Sequence, residues 1–395
     1  MEREPLLKPI RVLVVDDTIV FRKIVSDVIS NIPGAEVVGT ANNGKIAISK
    51  IISLKPDLLT LDIEMPEVDG LKVLEFIQEK TPHVGAVMLS TLTQEGSEMT
   101  IRALELGAFD FIPKPQSGSL QDNLEHVRNQ LIPIVNAFAR RQEIQNILKG
   151  KKNVTESLSK KPEPQKAPPP EKIQKSPSPI AKPSLGSAKK PINLKIRSRF
   201  QGAEIVAIGI STGGPKALAH MMPKIAGDIG VPILIVQHMP PLFTQSLAKS
   251  LDAKCAISVR EAVDGESLQP NTALIAPGGK QMKILAGADG VNRIIKITND
   301  PPENSCKPSA DYLFRSVGQL YLGRATGVIM TGMGSDGFQG LIAMKEQGAF
   351  IIAQDEETCT VFGMPKEPIE SKIVDVVTSL DEISAEITRT IKRIR

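Results

Sequence analysis

The chain has 395 residues, 41% of them hydrophobic and 23% charged, which is long enough for two domains of ordinary size. No apolar run could span a membrane, and the charged segment from Met1 to Lys8 lacks the apolar centre of a signal peptide. Three widely spaced cysteines do not form a disulfide framework. These features predict a cytoplasmic protein that is not embedded in a membrane.

The formal net charge of +4 is unevenly distributed along the chain. Between Lys149 and Arg199 there are 14 basic residues and 3 acidic ones, whereas the remainder holds 34 basic and 41 acidic residues. The parts outside this segment are therefore acidic, and they contain few aromatic residues that could stack on bases. This distribution argues against a nucleic-acid partner.

Residues 9–130 alternate between apolar strand-like runs and helix-like patterns. Such an alternation predicts a five-stranded parallel sheet, doubly wound, with helices on both faces. The predicted strands are 10–15, 37–40, 58–62, 85–90 and 110–112.

Polar side chains occur where these predicted strands end. Asp16 and Asp17 follow the first strand, Asp62 ends the third, Ser90 ends the fourth and Lys114 follows the fifth. The carboxyl ends of parallel strands share one edge, where three carboxylates could hold Mg²⁺. One of them could then accept a phosphoryl group while the hydroxyl and the ammonium contact its oxygens. Helix capping is the alternative, but it accounts for single aspartates and not for the set.

This pattern resembles the receiver domain of two-component response regulators, a flavodoxin-like fold. The resemblance implies that Asp62 is the phosphoacceptor and that Asp16, Asp17 and the Glu64 carbonyl bind Mg²⁺. It also implies that Ser90 is the switch hydroxyl, with its neighbour Thr91 as the alternative, and that Lys114 contacts the phosphoryl group. The motifs that carry the resemblance are VVDD at 14–17, LDIEMP at 61–66, Asp69-Gly70, Ser90 and Lys114-Pro115.

Residues 131–200 are predicted to contain the end of a helix followed by a flexible linker. The linker is rich in Lys, Pro and Ser, a composition that cannot bury a core. Its basic charge could attract an acidic partner or an anionic membrane surface, or it could serve only to solvate the linker.

Residues 201–395 resume the alternation, which predicts a second, Rossmann-like doubly wound α/β domain. An apolar strand over 205–210 stops at Ser211, and two glycines precede a helix that begins at Pro215. Free backbone N–H groups of that helix could stabilise an oxyanion beside a nucleophilic Ser211. A Gly-rich junction can equally bind a phosphate or simply close a turn.

Two further strands end at polar residues that complement this serine. His238 follows the strand at 232–236, and Asp336 lies just after the strand at 327–330. Ser211, His238 and Asp336 could therefore meet as nucleophile, base and orienting carboxylate. A structural histidine and a turn aspartate are the simpler alternatives. The order Ser, His, Asp differs from that of alpha/beta-hydrolases, although G-x-S-x-G is present.

This domain resembles the CheB-type chemotaxis methylesterase family. The shared blocks are IGISTGG at 208–214, QHMP at 237–240, IAPGG at 275–279, KPSAD at 307–311, TGMGSDG at 331–337 and VFGMP at 361–365.

The resemblance implies hydrolysis of glutamate γ-methyl esters on chemoreceptors, with release of methanol, and deamidation of receptor glutamines. Ser211, His238 and Asp336 would be catalytic without a cofactor, and Thr212 and the Met333 N–H would be oxyanion-hole candidates. Phosphorylation by the chemotaxis histidine kinase would relieve an inhibitory packing of the receiver over the crevice. The alternative is a receiver-controlled adaptor with a catalytically idle binding domain.

One segment departs from the family pattern. The family usually has Asn-Arg-His before the KPSAD block, whereas this chain has Asn304-Ser305-Cys306. The departure implies a change in rate or substrate preference and not a loss of activity, because Cys306 is outside the predicted triad.

Overall fold

The computed structural model describes residues 8–115, 119–158 and 199–391. No helix in these ranges is both long enough and apolar enough to cross a membrane. The greater part of the predicted flexible linker, residues 159–198, lies outside the described residues.

The first domain contains the predicted five-stranded sheet, whose order is β2-β1-β3-β4-β5 with all pairs parallel. Because β1 lies between β2 and β3, the chain reverses its direction across the sheet at β1, and the carboxyl ends of β1 and β3 border that point. The elements are β1 (Ile10–Val15), α1 (Ile19–Ser30), β2 (Ala35–Ala41), α2 (Gly44–Leu54), β3 (Leu58–Asp62), α3 (Gly70–Lys80), β4 (Gly85–Ser90), α4 (Gln94–Leu106) and β5 (Asp110–Pro113).

The helix that follows is longer than the sequence predicted. Helix α5 (Leu120–Leu158) has 39 residues and contains Pro133. Leu131 and Phe138 are buried in the core of the first domain, where Phe138 packs edge-on against Phe109 with ring centroids 5.2 Å apart. The first domain's core therefore extends beyond residue 130, where the prediction ended the receiver.

The second domain contains a seven-stranded parallel sheet in the order β14-β13-β12-β6-β7-β9-β8, and a separate antiparallel hairpin, β10-β11. Its strands are β6 (Ile205–Ile210), β7 (Ile233–Gln237), β8 (Ser258–Glu261), β9 (Thr272–Ile275), β10 (Gln281–Ala286), β11 (Arg293–Thr298), β12 (Ala325–Ile329), β13 (Phe350–Gln354) and β14 (Val376–Thr378). Its helices are α6 (Gly214–Met221), α7 (Phe243–Asp252), α8 (Ala310–Tyr321), α9 (Phe338–Glu346), α10 (Lys366–Glu370) and α11 (Ile383–Thr390).

Strand β6 is the point at which this second sheet changes direction. It pairs with β7 on one side and with β12 on the other. The loops after these three strands therefore meet at one edge, which is where open α/β sheets place their functional groups. The predicted α/β class and doubly wound architecture are confirmed for both domains.

The two domains pack against each other through α4 and β5 of the first and α7 of the second. The rings of Phe111 and Phe243 lie 4.6 Å apart, and both are buried. Around them, Ser97 and Ser246 share a hydrogen bond of 2.7 Å, and Glu105 accepts one of 2.6 Å from Ser250. The interface therefore combines an apolar contact with hydrogen bonds between the domains, as specific interfaces do.

Candidate active site

The Ser211 junction has a tightly fixed backbone. Gly213 is the N-cap of α6, with φ +77°, and a Cβ there would lie 2.3 Å from the Thr360 hydroxyl, so only glycine fits. The Ser211 carbonyl accepts hydrogen bonds from Gly214 N at 2.7 Å and Gln237 Nε2 at 3.0 Å. The half-buried Ser211 is therefore held at the carboxyl end of a fully buried strand.

His238 and Asp336 form a hydrogen-bonded pair beside it. The distance between His238 Nε2 and Asp336 Oδ2 is 2.8 Å. Asp336 is buried and also accepts hydrogen bonds from Ser309 Oγ at 2.7 Å and Ala310 N at 2.6 Å. Burial favours the neutral acid, but these donors and the nearby imidazole outweigh it and hold the pKa of Asp336 well below its usual range. Asp336 is therefore an anion that orients the imidazole.

The imidazole of His238 has a raised pKa. Burial alone would lower the pKa of His238, but hydrogen bonds with Asp336 and Cys306 overcome this and raise it to about 9. Such a group is a strong base, although most of it is protonated at neutral pH.

The second ring nitrogen of His238 faces the Cys306 thiol. The distance between His238 Nδ1 and Cys306 Sγ is 3.7 Å. Ser211 and His238 line the same cavity of about 140 Å³, but no hydrogen bond between them is present in the described part of the chain. The structure thus brings the three predicted residues to one sheet edge. It also places Cys306 beside His238 Nδ1, the nitrogen that would accept the proton of Ser211.

The first domain covers this cavity. Asp110, Phe111, Pro113 and Gln130 form its other wall. The Thr212 hydroxyl, a predicted oxyanion-hole group, donates a hydrogen bond of 2.7 Å to Asp110 Oδ2. Sequence reasoning missed Asp110, because nothing marks the first residue of an ordinary strand as an interdomain contact.

Met333, the other predicted oxyanion-hole residue, does not line this cavity. Met333 is half-buried, packs against the core of the first domain and lines a second cavity of about 1060 Å³ between α5 and the second domain. The residue therefore contacts the first domain, and the oxyanion-hole role of its backbone N–H stays a prediction.

The carboxylates predicted in the first domain also lie together. Oxygen atoms of Asp16, Asp17 and Asp62 are all within 4.8 Å of one another, and the first and last of these residues are buried. Lys114 Nζ lies 2.8 Å from Asp16 Oδ2 and 2.7 Å from Asp62 Oδ2. Burial raises the pKa of Asp62 to about 6 against the opposing charge of Lys114. Three clustered carboxylates are the donor set that a hard divalent cation prefers.

The two candidate switch hydroxyls point to different partners. Ser90 Oγ is buried, accepts a hydrogen bond of 2.6 Å from Thr100 and donates one of 3.2 Å to the Gly96 carbonyl. Thr91 Oγ1 donates a hydrogen bond of 2.7 Å to the Glu64 carboxylate. Within the described residues, neither hydroxyl forms a hydrogen bond to Asp62, so the choice between them stays open.

These two clusters are typical of a protein in which a receiver-type regulatory domain is joined to a hydrolase domain with a doubly wound α/β fold. The family model for CheB methylesterase matches residues 206–387, and the model for the response regulator receiver domain matches residues 12–125. The chain belongs to the CheB methylesterase family and carries an N-terminal receiver domain, as the sequence motifs predicted.

Curated relatives match over the full length. A protein-glutamate methylesterase/protein-glutamine glutaminase of Desulfotalea psychrophila is 54% identical over 98% of this chain and 100% of its own. A protein with the same name from Bacillus subtilis is 41% identical over 98% of this chain and 99% of its own. The catalytic domain of Thermotoga maritima CheB methylesterase, a crystal structure, is 37% identical over 48% of this chain and 100% of that domain, with a TM-score of 0.47. Family membership identifies a hydrolase and does not favour a catalytically idle adaptor.

Proposed function

We propose that this protein hydrolyses γ-methyl esters of glutamate and deamidates glutamine on chemoreceptors in the cytoplasm, with Ser211, His238 and Asp336 as its catalytic residues. The names of the relatives supply the reaction class. The observation that carries the assignment of residues is the 2.8 Å bond between His238 and Asp336 beside the cavity that Ser211 lines.

In the first half of the reaction, Ser211 Oγ attacks the side-chain carbonyl carbon of the substrate. His238 Nδ1 takes the serine proton, because Nε2 is already bonded to Asp336. The Asp336 carboxylate stabilises the imidazolium that results. The imidazolium then returns its proton to the departing methoxide or amide nitrogen, which leaves as methanol or ammonia.

In the second half, water hydrolyses the acyl-serine ester. His238 accepts a proton from the water as its oxygen attacks, and then protonates Ser211 Oγ as the bond to the acyl carbon breaks. The products are a glutamate side chain and the free serine. No cofactor is needed, since each proton is held by a residue of the chain.

The oxyanion of each tetrahedral intermediate would be stabilised by donors next to Ser211. Thr212 is one candidate, and the Met333 N–H is the other. Because the Thr212 hydroxyl is bonded to Asp110 of the receiver, it is not free to serve the oxyanion while the domains are packed. This contact supports an inhibitory role for the receiver.

We further propose that phosphorylation of Asp62 relieves this inhibition. The chemotaxis histidine kinase is the proposed phosphodonor, and Asp16, Asp17 and Asp62, with the Glu64 carbonyl, would hold Mg²⁺. The cation supplies charge neutralisation at the phosphoryl oxygens. Lys114 would contact the phosphoryl group from its position 2.7 Å from Asp62 Oδ2, and Ser90 or Thr91 would act as the switch hydroxyl.

The function is tested on receptor fragments that carry either a γ-methyl glutamate or a glutamine at a defined site. Mass spectrometry should show conversion of both to glutamate by the wild type, and at least about a thousandfold slower conversion by His238→Ala. His220→Ala is the matched control, because His220 is an exposed histidine of the same domain whose ring bonds to Asp381. Equal rates for His238→Ala and His220→Ala would contradict the proposal.

A further inference from the structure

A thiol and an imidazole nitrogen face each other at the edge of the proposed active site. Cys306 Sγ lies 3.7 Å from His238 Nδ1. Ligand atoms of His238, Cys306 and Asp336 all fall within 4.8 Å of one another. Thiolate and imidazole are the ligands that Zn²⁺ and similar soft divalent cations prefer.

The separation of the two atoms matches the edge of a tetrahedral zinc site. With Zn–S about 2.3 Å and Zn–N about 2.05 Å, a tetrahedral angle puts the sulfur and nitrogen about 3.6 Å apart. The observed separation of 3.7 Å is close to this value.

A tight turn holds Cys306 in this position. Glu303 and Cys306 exchange two backbone hydrogen bonds, of 3.1 and 2.7 Å, across Asn304 and Ser305. Both central residues have positive φ, +50° and +62°, which is the geometry of a type I′ turn. Glu303 is in turn fixed by an ion pair with Arg315. The thiol is therefore presented by an ordered loop whose Cα position is defined.

Asp336 is suited to orient the histidine and not to bind the ion itself. Its Oδ2 accepts hydrogen bonds from His238 Nε2 and Ala310 N. Its Oδ1 accepts them from Ser309 Oγ, Asp311 N and Asn304 Nδ2. A carboxylate on the far nitrogen of a metal-binding histidine fixes the ring and leaves the near nitrogen free as a ligand.

We propose that His238 Nδ1 and Cys306 Sγ form a binding site for Zn²⁺ or a similar soft divalent cation. Binding joins the metal to the sulfur and to the ring nitrogen, and the thiol proton and the Nδ1 proton of the imidazolium are released to solvent. Water fills the remaining positions, so the site has only two side-chain ligands. Such a site binds reversibly and is emptied by chelators.

The consequence for activity rests on the proposed function. His238 Nδ1 is the atom that would take the proton of Ser211, so a metal on that nitrogen stops catalysis. Zinc should therefore be a reversible inhibitor of this chain, and the inhibition should depend on Cys306.

Binding is measured with Co²⁺ alone as the probe, added anaerobically to the full-length chain. A thiolate-to-cobalt charge-transfer band should appear in the wild type and in Cys255→Ser, and should be absent in Cys306→Ser and in His238→Ala. Cys255 is a suitable control because it is a free cysteine at the end of α7, on another element. Absence of the band in the wild type, or its persistence in Cys306→Ser, would overturn the proposal.

Two further measurements separate this proposal from the proposed function. Zn²⁺ should slow alkylation of Cys306 in the wild type, mapped by mass spectrometry, a test that needs no variant and no turnover. In esterase assays, half-inhibition of Cys306→Ser should need at least about tenfold more Zn²⁺ than that of the wild type or Cys255→Ser. Unchanged alkylation of Cys306 would refute the metal site. If the wild-type chain shows the cobalt band but has no esterase activity, the metal site at His238 and Cys306 is upheld and the proposed function is refuted.

Discussion

The carboxylate of Asp110 in the receiver accepts a hydrogen bond of 2.7 Å from the hydroxyl of Thr212, the residue next to Ser211. This bond crosses the domain interface and occupies a hydroxyl that is one of the two candidate donors to the oxyanion. Asp110 is partly buried, and this burial raises its pKa to about 6, against the lowering effect of the Thr212 hydrogen bond. The charge of Asp110 therefore disfavours the packed arrangement of the two domains, whereas the hydrogen bond to Thr212 favours it.

The first prediction concerns Asp110→Asn. A shift in pKa from 3.8 to about 6 means that the charge disfavours the packed state by roughly 3 kcal/mol at pH 7. Asparagine can accept the same hydrogen bond without a charge. The equilibrium constant for packing of the two domains should therefore rise by up to about a hundredfold, and basal turnover should fall. Asp122→Asn, at an exposed aspartate of α5, should behave as the wild type.

The sign of the pH effect follows from the same shift. Because the pKa of Asp110 is higher in the packed state, packing becomes more favourable as the pH falls through about 6. The measurement is the ratio of turnover by the full chain to turnover by a fragment beginning at residue 199, from pH 5 to 7.5. The ratio should fall at low pH in the wild type and stay flat in Asp110→Asn. Identical curves would show that Asp110 does not set the packing.

The second prediction concerns the phosphorylation gate. Asp62→Ala should lose stimulation by a small-molecule phosphodonor, because it removes the proposed acceptor beside Lys114, and Asp16, the other buried carboxylate there, is assigned to the cation. Asp27→Ala, on α1, should retain this stimulation.

The fragment beginning at residue 199 should turn over substrate faster than the unphosphorylated full chain and should not respond to the phosphodonor. Equal rates for fragment and full chain, with and without phosphodonor, would remove the inhibitory packing from the account.

The third prediction concerns the pH profile of the esterase. The pKa of His238 is raised to about 9, so only about one imidazole in a hundred is unprotonated at pH 7. With a chelator present, kcat/KM should therefore rise roughly tenfold per pH unit from 7 until it levels near 9. Cys306→Ala removes one of the contacts that raise this pKa, so its profile should move to lower pH, while that of Cys255→Ala should not. A rate that is independent of pH over this range would exclude His238 as the base.

The sequence predicted the central elements well because their physical signals are local. Strand β6 is a continuous apolar run that stops at a polar residue, and β3 is apolar except for Thr60 and its final Asp62; such runs are buried on both faces of a parallel sheet. Edge strand β8 reads Ser-Val-Arg-Glu and is only partly buried, so it gave no such signal and was not predicted. No strand was predicted after the one at 327–330, so β13 and β14 were also missed.

Contacts between distant segments could not be predicted in the same way. The positions of Ser211, His238 and Asp336 follow from the rule that strand ends share an edge. The approach of Cys306 to His238 depends instead on left-handed backbone at Asn304 and Ser305, and serine rarely adopts that conformation. The contact between Asp110 and Thr212 depends on how two separate domains pack, which no local pattern encodes.

The central claim is that Ser211 is the nucleophile, and its most direct test is methanol release from a methylated chemoreceptor. Ser211→Ala should release methanol at least about ten-thousandfold more slowly than the wild type, because it removes the hydroxyl on which the proposed acyl intermediate forms. Ser258→Ala, at an exposed serine on edge strand β8, serves as the control and should match the wild type. Methanol release by Ser211→Ala within a few-fold of the wild-type rate would contradict the account.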